Sequence, residues 1–340
     1  MTAIPPSKND IASLIDAAHE AREDKPRPHM GASILGHPCD RWIWLQFRMA
    51  VRQKFPGRIL RLFRRGHNEE ATIMSDLAMI GVEFSKRQAR VDFGSHVSGS
   101  ADAIIEDGVP EAPTKRHIAE FKTTNKKGFD QLEKDGVYKS KPDHWAQMQI
   151  YMHGLLIDRA LYVAICKDDD RLYTERVRFD KAAAEKLIKR GQRLALSDNI
   201  PPPISNDPTW YQCRFCPAHD FCHKSKLSKE INCRTCAHST AKEDSTWRCE
   251  RWEADNIPFD HQIKGCDSHA LHPDLVPWKW KGSGLNEWIM IYEIDGVNVS
   301  NGEPDATIFS SREIIANASG CTDDTVREIR KTWPGAEVVK

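Results

Sequence analysis

The sequence contains no long hydrophobic run. No apolar stretch among its 340 residues approaches the roughly 18 residues that a membrane-spanning helix needs. Residues 1–22 also lack the apolar segment behind a basic start that marks a secretory signal. We therefore expect a protein that does not span a membrane and that stays in the cytoplasm.

The sequence also has no excess of charge, because 49 Lys and Arg residues balance 49 Asp and Glu residues. A surface that binds nucleic acid must then be a local patch rather than a property of the whole chain. Residues 41–65 are a candidate, since they include no acidic residue. The basic residues of this segment are Arg41, Arg48, Arg52, Lys54, Arg58, Arg61, Arg64 and Arg65.

Hydrophobic periodicity predicts an α/β chain with one mixed central sheet flanked by helices. Helical spacing of apolar residues predicts helices at 11–18, 59–84, from 142 onward and at 181–196. Short β-branched and alternating runs predict strands at 88–93, 97–105, 118–123, 160–166 and 172–179. We expect a Lys- and Gly-rich loop between the third strand and the helix that starts at 142.

A proline triplet at 201–203 and a change in composition after it indicate more than one domain. We divide the chain into an N-terminal helix and linker (1–30), a main domain (31–228), a cysteine-rich module (229–275) and a small helical C-terminal module (276–340). The cysteine-rich module has too few aliphatic residues to be held together by core packing, so we expect it to need metal.

Two predicted strands carry two carboxylates and a lysine. Asp102 lies in the second strand, and Glu120 and Lys122 lie two residues apart in the third. Residues two apart in a strand point to the same face, so Glu120 and Lys122 project together while Phe121 faces the core. Mg²⁺ and Mn²⁺ prefer oxygen ligands, and the backbone carbonyl of Phe121 would add a third oxygen to the two carboxylates. This set suits phosphodiester hydrolysis, in which Lys122 would hold the attacking water or stabilise charge on the phosphate.

Each of these features also has a structural interpretation. An isolated Glu-x-Lys is more often a surface ion pair than a catalytic set. Gln147 and Tyr151 lie four residues apart on one helical face, where both can touch a single substrate strand, but a packed tyrosine and a solvated glutamine would give the same pattern. His67 by itself is more often structural than a metal ligand.

In chain order, four motifs resemble the RecB-like branch of the PD-(D/E)XK nuclease superfamily. They are G-H at 66–67, G-S-A-D at 99–102, E-F-K at 120–122 and Q-M-Q-I-Y at 147–151, within a region of similarity over residues 35–225. The resemblance implies a restriction-endonuclease-like core. The sequence departs from the superfamily pattern at Ala101, where the superfamily name implies proline, but this variation is common in the branch and leaves the carboxylate in place.

The resemblance also implies a role for each motif residue. Asp102 and Glu120 would bind Mg²⁺ or Mn²⁺ with His67 as an additional ligand, and Lys122 would be the catalytic lysine. Gln147 and Tyr151 would contact DNA near the scissile phosphate. The basic residues expected to neutralise DNA phosphates are Arg58, Arg61, Arg64 and Arg65.

The implied function is a metal-dependent DNA exonuclease that hydrolyses phosphodiester bonds at DNA ends in recombination, repair or phage DNA processing, working with a helicase or recombination protein. Two other interpretations remain open. One is a catalytically silent scaffold that binds DNA or protein on the same fold, and the other is a sequence-directed endonuclease. The complete set of Asp102, Glu120 and Lys122 argues against the silent scaffold, which would be expected to have lost at least one of them.

Disulfides are rare in the cytoplasm, so the close pairs among the ten cysteines indicate metal ligands. Cys213, Cys216 and Cys222 have the spacing C-x2-C-x5-C, and thiolates in such a set select zinc or an iron–sulfur cluster. RecB-like nucleases of the AddB and CRISPR-associated types carry this pattern after the nuclease core and a fourth cysteine far upstream. That resemblance implies a 4Fe-4S cluster on these three and Cys39, joining the N-terminal helix to the end of the nuclease fold. The alternative for Cys39 is a buried thiol.

A second set of four cysteines follows in the cysteine-rich module. Cys233, Cys236, Cys249 and Cys266 favour a closed tetrahedral zinc site. The long gap before Cys266 leaves open that a histidine replaces one ligand, and the candidates are His238, His261 and His269. A second iron–sulfur site also stays open. Cys166 lies in an apolar strand and is predicted to be a core residue.

Residues 310–333 look like a helix-turn-helix. Ala316, Gly320, Val326 and Ile329 occupy the places of a small residue, a turn glycine and two core-facing apolar residues. Two aspartates at the start of the second helix argue against contact with phosphates, although they suit the N-terminal dipole of that helix. A DNA-touching module and a structural or protein-binding tail both remain open.

Overall fold

The computed structural model of the chain describes residues 10–22, 25–284, 286–333 and 335–339. Its helices are Ile11–Glu20 (α1), Asp40–Phe47 (α2), Gly57–Met79 (α3), Lys126–Ser140 (α4), Pro142–Leu155 (α5), Lys181–Leu196 (α6), Tyr211–Arg214 (α7), Phe259–Lys264 (α8), Ser311–Ala316 (α9) and Asp324–Thr332 (α10). Its strands are Met30–Gly31 (β1), Phe84–Asp92 (β2), Val97–Ile105 (β3), His117–Thr124 (β4), Arg159–Cys166 (β5), Leu172–Arg178 (β6), Ser239–Ala241 (β7), Trp247–Cys249 (β8), Lys279–Ser283 (β9), Met290–Ile294 (β10), Val297–Asn301 (β11) and Ile308–Phe309 (β12).

By packing, the chain forms two compact units. The first contains the residues up to Gly36, Gln53–Phe93 and Val97–Gly191, and the second contains His37–Arg52, Gly94–His96 and the residues from Gln192 onward. This division is coarser than the four predicted segments, whose boundaries stay predictions. The parts of the predicted N-terminal segment at 1–9 and 23–24 lie outside the described residues.

The first unit is built on the mixed central sheet that the sequence predicts. Its six strands follow the order β1-β3-β4-β5-β6, and β2 also pairs with β3. β4 and β5 run parallel, and the β2–β3, β3–β4 and β5–β6 pairs are antiparallel. The chain crosses from β4 to β5 through α4 and α5, as a parallel pair requires.

On one edge of β3, the stretch that pairs with β1 and the stretch that pairs with β4 are separated by residues 99–102. β2 pairs with β3 along 98–105, so β1 and β4 share the opposite edge. On that edge β1 pairs only at Val97 and Ser98, and β4 pairs only at 103–105. Among the described strands, none pairs with 99–102 there. β3 and β4 therefore separate where the G-S-A-D motif lies.

Helices cover both faces of this sheet. On one face, Phe121 of β4 and Ile73 of α3 belong to one hydrophobic cluster. On the other face, α5 packs against the sheet, and Nδ1 of His144 lies 2.9 Å from the hydroxyl of Tyr162. Glu120 is opposite Tyr162 in the parallel β4–β5 pair, so its side chain lies on the α5 face. The confirmed arrangement is a mixed sheet flanked by helices.

The predicted loop after β4 is wrong, because residues 126–140 form α4. Asn125 caps this helix by accepting a hydrogen bond from the Gly128 N–H at 2.9 Å. Phe129 and Leu132 are fully buried and hold the helix against the sheet. Gly136 kinks the helix with a φ of 72°, a conformation that favours glycine. The lysines that suggested a loop lie on the exposed side.

The second unit contains the β7–β8 hairpin and a four-stranded sheet in the order β12-β11-β10-β9. The C-terminal module is therefore not purely helical, since this sheet fills most of 279–309. Helices α9 and α10 lie within the predicted helix-turn-helix segment, but Ile329, which was predicted to face the core, is 42% exposed. Arg330 is buried in its place and pairs with the buried Glu313 of α9. The described helices include none that is long and apolar enough to cross a membrane.

Candidate active site

β4 presents Glu120 and Lys122 on one face, as the alternation of a strand requires. Nζ of Lys122 donates a hydrogen bond to Oε1 of Glu120. The Glu120 side chain is completely buried, and that of Lys122 is 26% exposed. Ala119 and Phe121 lie in the core on the opposite face. The predicted shared face is confirmed, and the pair is not the surface ion pair of the alternative interpretation.

Asp102 sits where β3 and β4 separate. Its Oδ2 accepts a hydrogen bond from the backbone N–H of Phe121 at 2.8 Å, so the side chain takes the place of the missing strand pairing. This bond brings the Asp102 carboxylate beside Glu120, because Phe121 follows Glu120 in the chain. The predicted role of the Phe121 carbonyl as a ligand stays a prediction.

Helix α3 brings His67 and a third carboxylate, Glu70, to the same place. Nδ1 of His67 lies 3.7 Å from Oε1 of Glu70, one helical turn away. Burial and the nearby Asp102 raise the pKa of Glu70, which shows that the two carboxyl groups interact. The sequence interpretation missed Glu70. The available signal was its position three residues after His67, on the same helical face.

Helix α5 points Gln147 and Tyr151 at the carboxylates. Nε2 of Gln147 donates to the Tyr151 hydroxyl at 3.1 Å, and both side chains are buried. Gln147 is therefore not a solvated residue. Burial and the charge of Glu120 raise the pKa of Tyr151 to about 12, so its hydroxyl stays protonated near the site.

Gly99 makes room for Tyr151. A Cβ added at Gly99 would lie 2.8 Å from Cε1 of Tyr151 and 3.0 Å from Cβ of Ala32. These contacts are shorter than packed carbon atoms allow. The glycine of the G-S-A-D motif is thus explained by the tyrosine of the Q-M-Q-I-Y motif, although the two lie 52 positions apart in the sequence.

The site holds more negative charge than its lysine balances. Burial raises the pKa of Glu120 to about 7, Lys122 partly offsets this, and Asp102 and Glu70 raise it further. Burial alone would lower the pKa of Lys122, but the carboxylates of Glu120 and Asp102 outweigh it, so the pKa is raised. Lys122 is therefore a fixed positive charge at neutral pH.

The donor set fits a divalent cation. Oε2 of Glu120 is buried and has no hydrogen-bond partner. A buried carboxylate oxygen without a partner is costly, and a cation would relieve both this cost and the repulsion among Asp102, Glu120 and Glu70. As the side chains stand in the described chain, no group of three or more His, Cys, Asp or Glu residues is arranged to hold a metal ion. Binding would require these side chains to move closer together.

The four cysteines predicted to bind a cluster lie together in the second unit. They line one pocket with His37 and His219, and the pocket cysteines are Cys39, Cys213, Cys216 and Cys222. Burial, and then its three neighbouring thiols, raise the pKa of Cys216 to about 11. The set therefore meets from two distant parts of the sequence, as the resemblance implies.

The remaining predicted residues are the second cysteine set, Cys166 and the arginines of α3. The second cysteine set, Cys233, Cys236, Cys249 and Cys266, also interacts through its thiols within the second unit. Cys166 is fully buried in β5, which confirms it as a core residue. On α3, Arg58, Arg64 and Arg65 are exposed, whereas Arg61 forms an ion pair with Asp16 of α1.

Comparisons with solved structures give low similarity. A protein solved as SSO0001 is 16% identical, with 64% of this chain and 98% of that chain covered and a TM-score of 0.39. The alkaline exonuclease LHK-Exo of Laribacter hongkongensis is 17% identical, with 53% and 89% covered and a TM-score of 0.35. A phage-related exonuclease of Haemophilus somnus 129PT is 18% identical, with 37% and 65% covered and a TM-score of 0.28.

A search of curated proteins found no match. The sequence model of the PD-(D/E)XK nuclease superfamily, however, matches residues 3–223, which is more than half of the 340 residues. The match includes every residue of the site on β3, β4, α3 and α5. The chain belongs to the PD-(D/E)XK nuclease superfamily.

Proposed function

We propose that this nuclease is a metal-dependent DNA exonuclease of the RecB-like branch that hydrolyses phosphodiester bonds at DNA ends. The observation that carries the proposal is the unpaired, buried Oε2 of Glu120 among three carboxylates and one lysine, at the place where β3 and β4 separate. A buried carboxylate oxygen without a hydrogen-bond partner is costly, and a bound cation would supply the missing partner.

Asp102, Glu120 and Glu70 would hold Mg²⁺ or Mn²⁺, with His67 and the Phe121 carbonyl as further donors. The bound ion would polarise the phosphate and lower the pKa of water. Asp102 is held in place by the Phe121 N–H, and Glu120 by Lys122. Two carboxylates are thus oriented before substrate arrives.

Lys122 would stabilise the charge that develops on the phosphate and orient the attacking water. Its raised pKa makes it a poor base, so it serves as a fixed cation and hydrogen-bond donor. Tyr151 stays protonated and can donate to a phosphate oxygen, and Gln147 fixes the position of the Tyr151 hydroxyl. These two residues would position one DNA strand against the carboxylates.

We also propose a 4Fe-4S cluster on Cys39, Cys213, Cys216 and Cys222, because the four thiols line one pocket. Protein purified without oxygen should be brown and contain iron. Cys213→Ser should lose iron, colour and stability together, whereas Cys166→Ala, a thiol in the core of the other unit, should keep the colour. A colourless wild-type protein would remove the cluster from the proposal.

The preference for DNA ends rests on the resemblance of the four motifs to RecB-like exonucleases. The same resemblance supports a cytoplasmic role in recombination, repair or phage DNA processing beside a helicase or recombination protein. These parts of the proposal are tested separately from the chemistry of the site.

The first experiment is cleavage of end-labelled linear DNA and of circular DNA by protein purified without oxygen, with Mg²⁺, Mn²⁺ or EDTA. We expect linear DNA to be shortened only with metal, and circular DNA to stay intact. Glu120→Gln should abolish cleavage, whereas Glu83→Gln, an exposed glutamate away from the site, should not change it.

Other outcomes change the proposal in defined ways. Cleavage of circular DNA would replace the exonuclease with an endonuclease. A folded, iron-containing wild-type protein that binds DNA and does not cleave it with either metal would favour a silent scaffold.

A further inference from the structure

Six cysteines lie outside the proposed cluster. Two of them, Cys166 and Cys321, are buried, and the other four form one set. Cys233, Cys236, Cys249 and Cys266 all lie in the second unit, on segments that are separated by up to 33 positions. The interior around them combines polar residues with apolar ones such as Trp247, Ile257 and Leu271. The buried polar residues of this region include Asn232, Arg234, Thr235, His238, Ser239, Gln262, Ser268 and His269. A segment with few buried aliphatic residues gains from another source of stability.

A short turn fixes the first two cysteines. Residues Cys233–Thr235 form one turn of 3-10 helix, and the Cys236 N–H donates to the Cys233 carbonyl at 3.1 Å. The Asn232 side chain caps this turn by accepting from the Arg234 N–H at 2.9 Å. Such a turn brings two cysteines with two residues between them to one side of the chain.

The backbone places Cys266 next to this turn. Gly265 has a φ of 66°, and a Cβ added there would lie 3.2 Å from Cα of Asn232 and 3.3 Å from the Ile231 carbonyl oxygen. Gly265 and Asn232 therefore touch through their backbones. Because Cys266 follows Gly265 and Cys233 follows Asn232, the two cysteines are neighbours.

The β7–β8 hairpin brings Cys249 to the same place. Cys249 is opposite Ser239 in this hairpin, and Ser239 lies three residues after Cys236. The Glu250 N–H donates to the His238 carbonyl at 2.9 Å, which holds the end of β8 beside the segment that follows Cys236.

The rings of two of the three histidines that the sequence left open contact other groups. The ring nitrogens of His269 lie 3.1 Å from Oγ1 of Thr235 and 2.8 Å from Oγ of Ser311. Nε2 of His238 lies 3.0 Å from the Trp288 carbonyl oxygen. His261 is exposed, and its backbone carbonyl accepts from Sγ of Cys233 at 3.6 Å. These contacts favour the four cysteines as ligands, with His261 as the alternative that a variant tests.

We propose that Cys233, Cys236, Cys249 and Cys266 bind one structural Zn²⁺ as four thiolates. A closed tetrathiolate site suits zinc and needs no open position for substrate. The ion would cross-link the 3-10 turn, the end of β8 and the segment that follows α8, and so add to the stability that the few buried aliphatic residues provide. The four sulfurs would be drawn together from their present positions, because they do not yet form a metal cage.

The test is the metal content of the full chain purified without oxygen, measured by mass spectrometry. We expect about one zinc per chain in the wild type, in addition to iron. Cys266→Ser should lose the zinc and keep the iron. His261→Ala and Cys321→Ala should keep both metals, because His261 is not a ligand and Cys321 is buried elsewhere in the second unit.

A second measurement avoids variants that fail to fold. A mercurial reagent that blocks thiols is titrated into the wild-type protein while a zinc-sensitive dye reports release. Protein grown with Co²⁺ should also show the absorption of tetrahedral cobalt bound by thiolates. Both readouts are independent of DNA cleavage, so the zinc site stands or falls separately from the proposed nuclease activity.

Three results would overturn the proposal. They are a wild-type protein without zinc, iron instead of zinc lost from Cys266→Ser, and zinc retained in both Cys249→Ser and Cys266→Ser. Loss of zinc from His261→Ala would show that a histidine replaces one thiolate.

Discussion

At the scale of single residues, the site depends on charges that burial has made unequal. Glu120 has a pKa raised to about 7, whereas Lys122 stays charged because two carboxylates face it. One side chain is thus prepared to exchange a proton for a metal ion, and the other is prepared to stay a cation. In water both would be ionised, so this difference comes from their shared burial.

Lys122→Ala should separate catalysis from binding. The change removes the cation that faces the phosphate, so we expect cleavage to fall about a hundred- to a thousand-fold. DNA affinity should stay nearly unchanged, because a single charge among many basic residues contributes little to it. Cleavage rates and DNA affinity measured side by side check this, with the exposed Lys86→Ala as control. An equal loss of binding would contradict the assigned role.

Gly99→Ala should destabilise the protein, because the new methyl group would meet Tyr151 and Ala32. Overpacking of this kind costs about 1–3 kcal/mol. The control is Gly66→Ala on α3, where the nearest atom, Oγ1 of Thr123, lies at an ordinary 3.6 Å. Alanine is the better helix former, so the control should be neutral or gain up to about 1 kcal/mol. Urea unfolding measures both, and equal effects would refute the steric explanation.

At the scale of elements, α3 serves two purposes. One part carries His67 and Glu70 to the carboxylates, and Ile73 packs in the core beneath β4. Its N-terminal half carries the arginines, and of these Arg61 is already paired with Asp16. The helix therefore connects a candidate phosphate-binding surface to the site through one rigid element.

Replacing the exposed arginines of α3 should weaken DNA binding without sequence preference. Each phosphate contact contributes about 0.9 to the slope of log affinity against log salt concentration on duplex DNA. Changing Arg58, Arg64 and Arg65 together to Ala should lower that slope by up to about 3. Arg61→Ala should change it less, because Asp16 already neutralises this residue. DNA affinity measured over a range of salt concentrations tests this prediction. An unchanged slope in the triple variant would exclude α3 from the DNA-binding surface.

At the scale of the whole molecule, the second unit combines apolar packing with buried polar groups. It contains hydrophobic clusters around Tyr292 and around Trp44. It also has several buried histidines and arginines, and it carries nine of the ten cysteines, eight of them in two sets. Its buried histidines are neutral, since burial holds the pKa of His96 at about 4 and those of His269 and His272 at about 3.

The second unit should therefore lose stability in mild acid. The pKa of each of these histidines is lower in the folded chain than in the unfolded chain, so the unfolded chain binds protons first as pH falls below about 6.5. Above that pH the free energy of unfolding keeps its full value. It falls by about 1.4 kcal/mol per histidine by pH 5.5. Urea unfolding monitored by tryptophan fluorescence between pH 7.5 and 5.5 measures the loss.

A variant isolates this effect from any loss of metal. His272→Phe keeps an aromatic ring beside Trp44 but cannot bind a proton, so it should reduce the pH dependence by about one proton. His261→Gln, at an exposed position, should leave it unchanged. An equal pH dependence in all three proteins would mean that His272 is not held neutral by burial.

The sequence by itself determined the features that depend on local spacing. Alternation in β4 places Glu120 and Lys122 together, helical spacing joins Gln147 to Tyr151, and the order of strands and helices predicts the mixed sheet. Motif order was enough to indicate the superfamily, because the motif residues stand on regular elements whose periods are fixed by backbone geometry.

Only the tertiary structure decided which distant residues meet. The proposed role of Glu70 and the need for glycine at 99 depend on contacts between elements far apart in sequence. The periodicity of a single helix or strand gives no information about such contacts. The loop predicted before α5 was wrong, because burial of Phe129 and Leu132 holds residues 126–140 against the sheet as α4. In α10 the prediction that Ile329 faces the core was wrong, because Arg330 is buried there instead. The direction of side chains within one helix or strand is set by its backbone geometry. Burial, and the pKa shifts that it causes, are set by the other elements that pack against that helix or strand.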